Sequence, residues 1–265
     1  MLTACLVPPS IAAVVNVFEA LMAAECGVKS VTLGYAEQGC RAQDLAAVRA
    51  LYRLGSEYLA RAGHPDVAVN VVWHQYMGPF PRSEDKARQI VAGSTASATQ
   101  SGAVRMMLKT HVEALRIPRL EDNVESLRIA REVRDRGIVL ASLNERDRLE
   151  EELILTEAKA IVDISLKEAH QNVGRAVGLA VNRGWLDIPF SPSRWNAGLV
   201  LPLRDHTNAV RFAVPGQLPL SPDVLAFHRD ALAQLLRRDG DDVAALLERD
   251  ISVTARGDFD EWPLQ

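Results

Sequence analysis

The feature that most constrains this chain is the alternation, through its first half, of short apolar runs with longer amphipathic segments. Thr3–Val7 reads as a strand that Pro8-Pro9-Ser10 ends, and Ser10 is placed to cap the helix that follows. That helix, Ile11–Cys26, is alanine-rich and stops at Gly27. Val28–Tyr35 is a second strand. Ala42–Ala62 is a helix with Leu45, Val48, Leu51, Tyr52 and Leu59 on one side and Gly63 at its end. Val67–Trp73 is a third strand, and a helix runs from Ser83 to about Ser101 with Glu84 near its positive end. Val104–Leu108 is a fourth strand, and Leu120–Arg136 a further helix.

Strands that alternate with helices pair in parallel, joined by right-handed crossovers. Two architectures satisfy this pattern: a doubly wound open sheet and a piece of a (β/α)8 barrel. An open sheet that binds nucleotides needs a glycine-rich turn after its first strand, and here that turn is Pro8-Pro9-Ser10. Polar or glycine-containing clusters close the later strands: Gly34-Tyr35, His74-Gln75-Tyr76 and Lys109-Thr110-His111. The expected fold is therefore α/β, a partial (half) TIM-type barrel of about four parallel strands with a helix-rich C-terminal extension. A half-barrel has two unpaired strand edges and an open interior, so an oligomer or a second half is expected.

The expected domains are a half-barrel over residues 1–143 and an extension over residues 144–265 that packs on it. Asn144 to about Asn182 reads as one or two helices, and the charges Glu145–Glu152 read as a solvated face. A proline-marked irregular segment runs from Asp187 to about Pro222, and Asp223–Arg238 is a final helix. Aromatic residues are only 5% of the chain, so its core must be mostly aliphatic. The net charge of −4 argues against a nucleic-acid partner, and no apolar run reaches bilayer length, so no membrane partner is expected. Leu2-Thr3-Ala4-Cys5 lacks the basic start and apolar stretch of a lipoprotein signal. Cys5, Cys26 and Cys40 lack metal-ligand spacing, and no metal site is expected. They read as reduced thiols of a cytoplasmic protein.

Lys109 and Glu113 are the sharpest pair of polar residues. Lys109 stands at the carboxyl end of a strand and Glu113 four residues on. Taken alone, they allow a rim salt bridge or a Schiff-base lysine. His74 reads as a structural group and His111 as a tempting acid–base group. His64, His170, His206 and His228 read as surface residues.

A succession of short blocks resembles a known family. Leu6–Ser10, Ala23–Lys29, Gly34-Tyr35, Gln43–Ala47, His74–Gly78, Phe80-Pro81, Lys109-Thr110, Glu113-Ala114 and Ile117-Pro118 occur in order. Asp187–Phe190, Pro192-Ser193, Asn196–Gly198, Pro202 and Arg204-Asp205 continue the series. Together they are similar to the C-terminal half of the large (epsilon) subunit of glutamate mutase, also called methylaspartate mutase. The resemblance implies an adenosylcobalamin-dependent radical rearrangement that interconverts L-glutamate and threo-3-methylaspartate. It implies two partners: a small cobalamin-binding (sigma) subunit, and an N-terminal half that carries the arginines gripping the substrate. It implies cofactor contacts by Phe80, Lys109, Glu113 and Ile117, with Lys109 and Glu113 on the ribose, and it assigns no catalytic residue to this chain. It casts Asp187–Gly198 as a lid over the barrel mouth or a subunit contact. The Asp-x-His-x-x-Gly motif that supplies a histidine to cobalt is absent from the sequence. The sequence departs from the family pattern at Pro79 and Arg116, which replace glycines, and in Lys109-Thr-His-Val-Glu113, where a proline between the two key residues is lost. A second reading is a non-catalytic remnant or assembly module of the same family, or a truncated reading frame.

Overall fold

The computed structural model describes residues 5–137, 145–240 and 242–264. The chain forms a mixed α/β fold. Helix α1 (Pro9–Glu25) leads into strand β1 (Ser30–Ala36), helix α2 (Arg41–Arg61), strand β2 (Ala68–His74), helix α3 (Glu84–Ser101), strand β3 (Arg105–Met107) and helix α4 (Leu120–Asp135). The three strands form one parallel sheet in the order β1-β2-β3. No closed barrel is present among the described residues.

The expected first strand, Thr3–Val7, is not seen among the described residues. Residues 1–4 lie outside the described residues, and Cys5–Pro8 has no strand pairing. Leu6 has φ +49, and Pro8 and Pro9 have no N–H to donate to a ladder. The β1 edge where such a strand would pair is met at Gly34 by a side chain. Asn16 Nδ2 donates to Gly34 O at 3.0 Å, and Gly34 N donates to Asn16 Oδ1 at 2.7 Å. Ser10 is not the cap of α1. The Pro8 carbonyl accepts from Ile11 N at 3.0 Å, while Ser10 lies inside the helix with its hydroxyl buried and unpaired. Ser83 does cap α3, accepting from Lys86 N at 3.4 Å.

One face of the sheet is covered by helices. Val31, Leu33, Tyr35, Val71 and Trp73 point into a core shared with α1 and α2. Leu45, Val48, Leu51 and Leu59 of α2 are buried in that core, but Tyr52 is 53% exposed, so the apolar side of α2 is narrower than its sequence suggests. The register places Thr32 with Asn70, and Arg105 and Met107 with Val72 and His74, on the other face. Thr32, Arg105 and Met107 are exposed there. A parallel sheet is normally covered on both faces.

The extension comprises α5 (Glu145–Glu168), α6 (Val173–Asn182), β4 (Leu201–Arg204), β5 (Val210–Val214), α7 (Pro222–Asp239) and α8 (Val243–Arg256). Helix α5 packs against α1 and α2, and its Ile154, Ala158, Ile161 and Val162 join the main core. Its charged start is not wholly solvated. Glu150 is buried, held by Arg211 Nη1 at 2.9 Å and Gln43 Nε2 at 3.1 Å. The segment expected to be irregular contains an antiparallel hairpin, β4–β5. Pro202 sits at a register irregularity, where a missing N–H is tolerated. Helix α8 has no counterpart in the sequence reading, although Asp242 caps it at 3.1 Å and Gly257 ends it at φ +69. His228 is buried rather than at the surface. Its Nε2 lies 2.7 Å from Glu157 Oε1, because α7 turns that side toward α5.

Candidate functional site

A cavity of about 810 Å³ opens on the side of the sheet where the strands end. Segments after β2 (Met77–Phe80) and after β3 (Lys109, Glu113, Ala114) form two walls, and Pro189–Pro192 forms a third. In an open parallel arrangement these loops converge on one crevice, so residues far apart in sequence meet there.

Three of the four residues that the resemblance singles out meet in this cavity. Lys109 Nζ is 2.9 Å from Glu113 Oε1 and 5.1 Å from the centroid of the Phe80 ring. The pair forms because residues 110–116 fold as successive tight turns. Glu113 N donates to Thr110 O at 3.2 Å, and Arg116 N donates to Val112 O at the same distance. Main-chain support for Lys109 comes from β2's end, where Gln75 Oε1 accepts from Lys109 N at 2.6 Å. Lys109 and Glu113 are partly exposed, at 21% and 35%, and Phe80 is 4% exposed. The ammonium therefore rests between a carboxylate and an aromatic face, at the boundary of an apolar cavity. Nearby, Gln75 Nε2 and Thr110 Oγ1 are buried without a hydrogen-bond partner.

Ile117 is not among the residues lining the cavity; its side chain is 90% exposed. Arg116 turns toward α4, where Nη2 donates to Asp122 Oδ1 at 2.7 Å, so its bulk is spent outside the cavity. His111 is buried, with Nδ1 at 3.3 Å from Ser126 Oγ and Nε2 at 3.5 Å from Glu125, which places it under the loop. His74 is half-buried at the end of β2, its carbonyl accepting from Glu37 N at 3.0 Å.

The sequence marks Asp187–Gly198 as a lid or subunit contact without assigning a role to any one residue in it, and it does not single out Glu37. The Pro189–Pro192 wall is anchored by Asp187, which is fully buried. Its carboxylate accepts from Asn196 Nδ2 at 2.6 Å and from the amides of Gly198, Leu199 and Val200 at 2.8, 2.6 and 2.9 Å. Phe190 is held at φ +63 and 52% exposed on that wall. Below the loop after β2, Glu37 is buried and accepts from Tyr76 N at 3.2 Å and Trp262 Nε1 at 3.1 Å. Burial first, and then the neighbouring Asp44, push its carboxyl up to about 8. Asp44 is itself raised to about 6, mainly by burial, although Tyr35 Oη and the amides of Gln38 and Gly39 donate to it at 2.7, 2.9 and 2.9 Å. Glu37 follows β1 directly, and a carboxylate at a strand end was the available signal.

No group of three His, Cys, Asp or Glu side chains among the described residues could hold a metal ion. No described helix is long and apolar enough to cross a membrane.

The family model described as Methylaspartate mutase E chain matches residues 1–257. The glutamate mutase epsilon subunit of Escherichia coli O157:H7 is 37% identical over 246 residues, which is 90% of this chain and 50% of that protein. That of Treponema denticola is 38% identical over 239 residues, covering 90% of this chain and 49% of its own length. That of Halobacterium salinarum is 35% identical over 262 residues, covering 97% and 53%. The chain thus spans about half the length of the curated relatives it matches. With most of its length matched by the family model and an ordered set of shared blocks along it, the chain belongs to the methylaspartate mutase E-chain family.

Proposed function

We propose that this chain is one half of the large subunit of an adenosylcobalamin-dependent methylaspartate mutase. In this reading it is a partial barrel (residues 1–143) with a helical extension (residues 144–265), working in the cytoplasm. The observation that carries the reading is the Lys109–Glu113 pair, 2.9 Å apart beside Phe80, in a cavity at the ends of the strands.

The residues present fit the adenosyl part of that cofactor. A diol needs both a donor and an acceptor, which Lys109 and Glu113 supply, and hydrogen bonds to charged groups contribute about 1.5–3 kcal/mol each. The apolar side chains of Phe80, Met77 and Phe190 suit a flat ring and would keep water from it. A cavity of about 810 Å³ lies within the range used for nucleoside-sized ligands. Ile117, exposed here, is proposed as a contact that becomes covered when a partner closes over the cavity. Adenosylcobalamin, when bound, supplies the radical that starts the carbon-skeleton rearrangement between L-glutamate and threo-3-methylaspartate. This chain's part is to hold and orient the ribose and to exclude water.

Two partners complete the site in this proposal. A small cobalamin-binding subunit carries the corrin, since this sequence has no Asp-x-His-x-x-Gly. An N-terminal half supplies the substrate-gripping arginines. The uncovered sheet face bearing Thr32, Arg105 and Met107, with a β3 that pairs only with β2 among the described residues, supports a second half that completes the barrel. The three free cysteines are in keeping with a reducing compartment.

Reconstitution tests the proposal. The chain is mixed with the small subunit, an N-terminal half, adenosylcobalamin and L-glutamate, and methylaspartate is measured. Product is expected from the complete mixture, and less of it with Lys109→Ala or Glu113→Ala. The chain with the small subunit alone should give none. A complete mixture without product supports the non-catalytic module instead, and turnover without an N-terminal half overturns the half-barrel reading.

A further inference from the structure

Residues beyond Gly257 lie outside the stretch that the family model matches, yet they pack beneath the cavity. Phe259, Trp262 and Leu264 form a small core with Tyr76, Phe80, Ala87 and Ile90, separate from the main one. Leu264 makes a parallel bridge to Cys40, and Lys86 Nζ donates to Phe259 O at 2.5 Å. Two glycines on different elements make room for Trp262. A Cβ on Gly39, in the β1–α2 loop, would stand 2.8 Å from Trp262 Cη2, and one on Gly93, in α3, would stand 2.0 Å from Trp262 O. The indole therefore occupies a slot that only these residue types leave open.

We infer that the segment Phe259–Leu264 is an intramolecular clamp on the loop after β2, and that Trp262 is a positioning residue for Phe80 and Lys109. The connection is continuous. Trp262 Nε1 and Tyr76 N donate to opposite oxygens of the Glu37 carboxyl, at 3.1 and 3.2 Å. The Trp262 ring meets Tyr76 edge-on at 4.9 Å, and Tyr76 stacks obliquely on Phe80 at 6.5 Å. Thr254 Oγ1 donates to Tyr76 Oη at 3.0 Å, fixing the ring from α8. Next along the chain, Gln75 N donates to Met107 O at 3.1 Å, and Gln75 Oε1 accepts from Lys109 N at 2.6 Å. The tail thus reaches both the aromatic and the cationic residue of the cavity.

Packing alone does not account for this arrangement. Aliphatic side chains would fill the same volume without the cost of burying a carboxyl group, which is high unless the group is hydrogen-bonded. Glu37 instead ties two segments 186 residues or more apart from each other, the loop at Tyr76 and the tail at Trp262, to the end of β1. A directional bond of this kind sets register, which apolar contact does not. The clamp's consequence for adenosyl binding rests on the proposed function above, but the clamp itself does not.

Residue-resolved hydrogen exchange on the whole chain, without cofactor, tests the inference. Trp262→Phe keeps an aromatic ring and removes the N–H donor, and Glu37→Gln keeps the volume and removes the acid. In both variants the amides of Tyr76, Gln75 and Lys109 should exchange roughly tenfold faster, equivalent to about 1.4 kcal/mol of local opening. The amides of α1 and α2 should keep their wild-type rates. Wild-type rates at Gln75 and Lys109 in both variants would overturn the clamp. A rise of equal size in α1 and α2 would do so too, because it marks general loss of stability. Since no cofactor is present, failure here leaves the assignment of the cavity to the reconstitution experiment.

Discussion

Replacing Gly93 by alanine separates what a helix prefers from what this fold requires. Gly93 lies inside α3, where glycine costs about 1 kcal/mol relative to alanine, so on helix propensity alone the change stabilises. The structure reverses that sign. The new methyl would sit 2.0 Å from the carbonyl oxygen of Trp262 and 2.7 Å from its carbonyl carbon, and these are main-chain atoms that no rotamer change can move. Either α3 or the tail must shift. Overpacking costs about 1–3 kcal/mol when side chains can adjust, and more when backbone must move. Undocking the tail would forfeit about 1.5–3 kcal/mol for each large apolar side chain re-exposed, offset in part by about 1–2 kcal/mol of regained chain entropy per residue. The net expectation for Gly93→Ala is a loss of about 2 kcal/mol. Gly178 in α6 is the control, because no atom lies within 4 Å of its added methyl. Gly178→Ala should gain about 0.5–1 kcal/mol. Urea denaturation of both variants, with midpoint and slope compared, makes the measurement. A Gly93→Ala protein as stable as the wild type, or stabilised like Gly178→Ala, would refute the close docking of Trp262 on α3.

Further outcomes follow from buried charges. Glu37 faces Asp44 from α2, Ser94 from α3, Tyr76 from the loop and Trp262 from the tail, while Arg204 from β4 acts on Asp44. Its carboxyl titrates near 8 when folded, against 4.5 ordinarily, so below about 4.5 both states hold the proton and the contribution to stability is complete. Between 4.5 and 8 only the folded state holds it, and stability falls as pH rises. Wild-type stability should therefore fall relative to Glu37→Gln from pH 6 to pH 8, a window above the rise of Asp44 to about 6; parallel pH profiles of the two proteins would count against a protonated Glu37. Arg211 is buried between Glu150 and Asp205, with Nε at 2.7 Å from Asp205 Oδ2. Arg211→Met strands two buried carboxylates and should cost about 3–5 kcal/mol in chemical denaturation; a loss under about 1 kcal/mol would show that water reaches them.

Much of the first half was legible because its signals are local. Gly27 and Gly63 end α1 and α2 at φ +86 and +85, where the sequence places them, since only glycine enters that region without strain. The parallel pairing of Val28–Tyr35, Val67–Trp73 and Val104–Leu108 follows from helices long enough to cross over the sheet. Over Cys5–Val7, the described part of the expected Thr3–Val7 strand, no pairing forms, because apolar composition does not reveal a side chain, Asn16, that meets the β1 edge at Gly34. The burial of Glu150 and His228 was hidden for a related reason. Each is paired with a partner more than 60 residues away, Arg211 and Glu157, which turns a costly buried polar group into a hydrogen-bonded one. Within the site, Lys109 and Glu113 were found through spacing and resemblance and Phe190 lies in a block of the resemblance, whereas Glu37 has only its place at a strand end as a signal and Trp262 carries no mark in the local sequence.

By itself, the order of residues determined the family, the alternation of strands and helices, and the two polar groups at the end of β3, because each depends on neighbours within a turn or a strand. Only the tertiary structure decided which face of the sheet stays uncovered and that Asp187 anchors the Pro189–Pro192 wall through buried hydrogen bonds. It also decided that residues 259–264 return to hold the loop at Tyr76. These depend on contacts between segments far apart in the chain, 39 residues for Glu37 with Tyr76 and 225 for Glu37 with Trp262, and such contacts are selected by shape, burial and hydrogen-bond satisfaction in the folded chain.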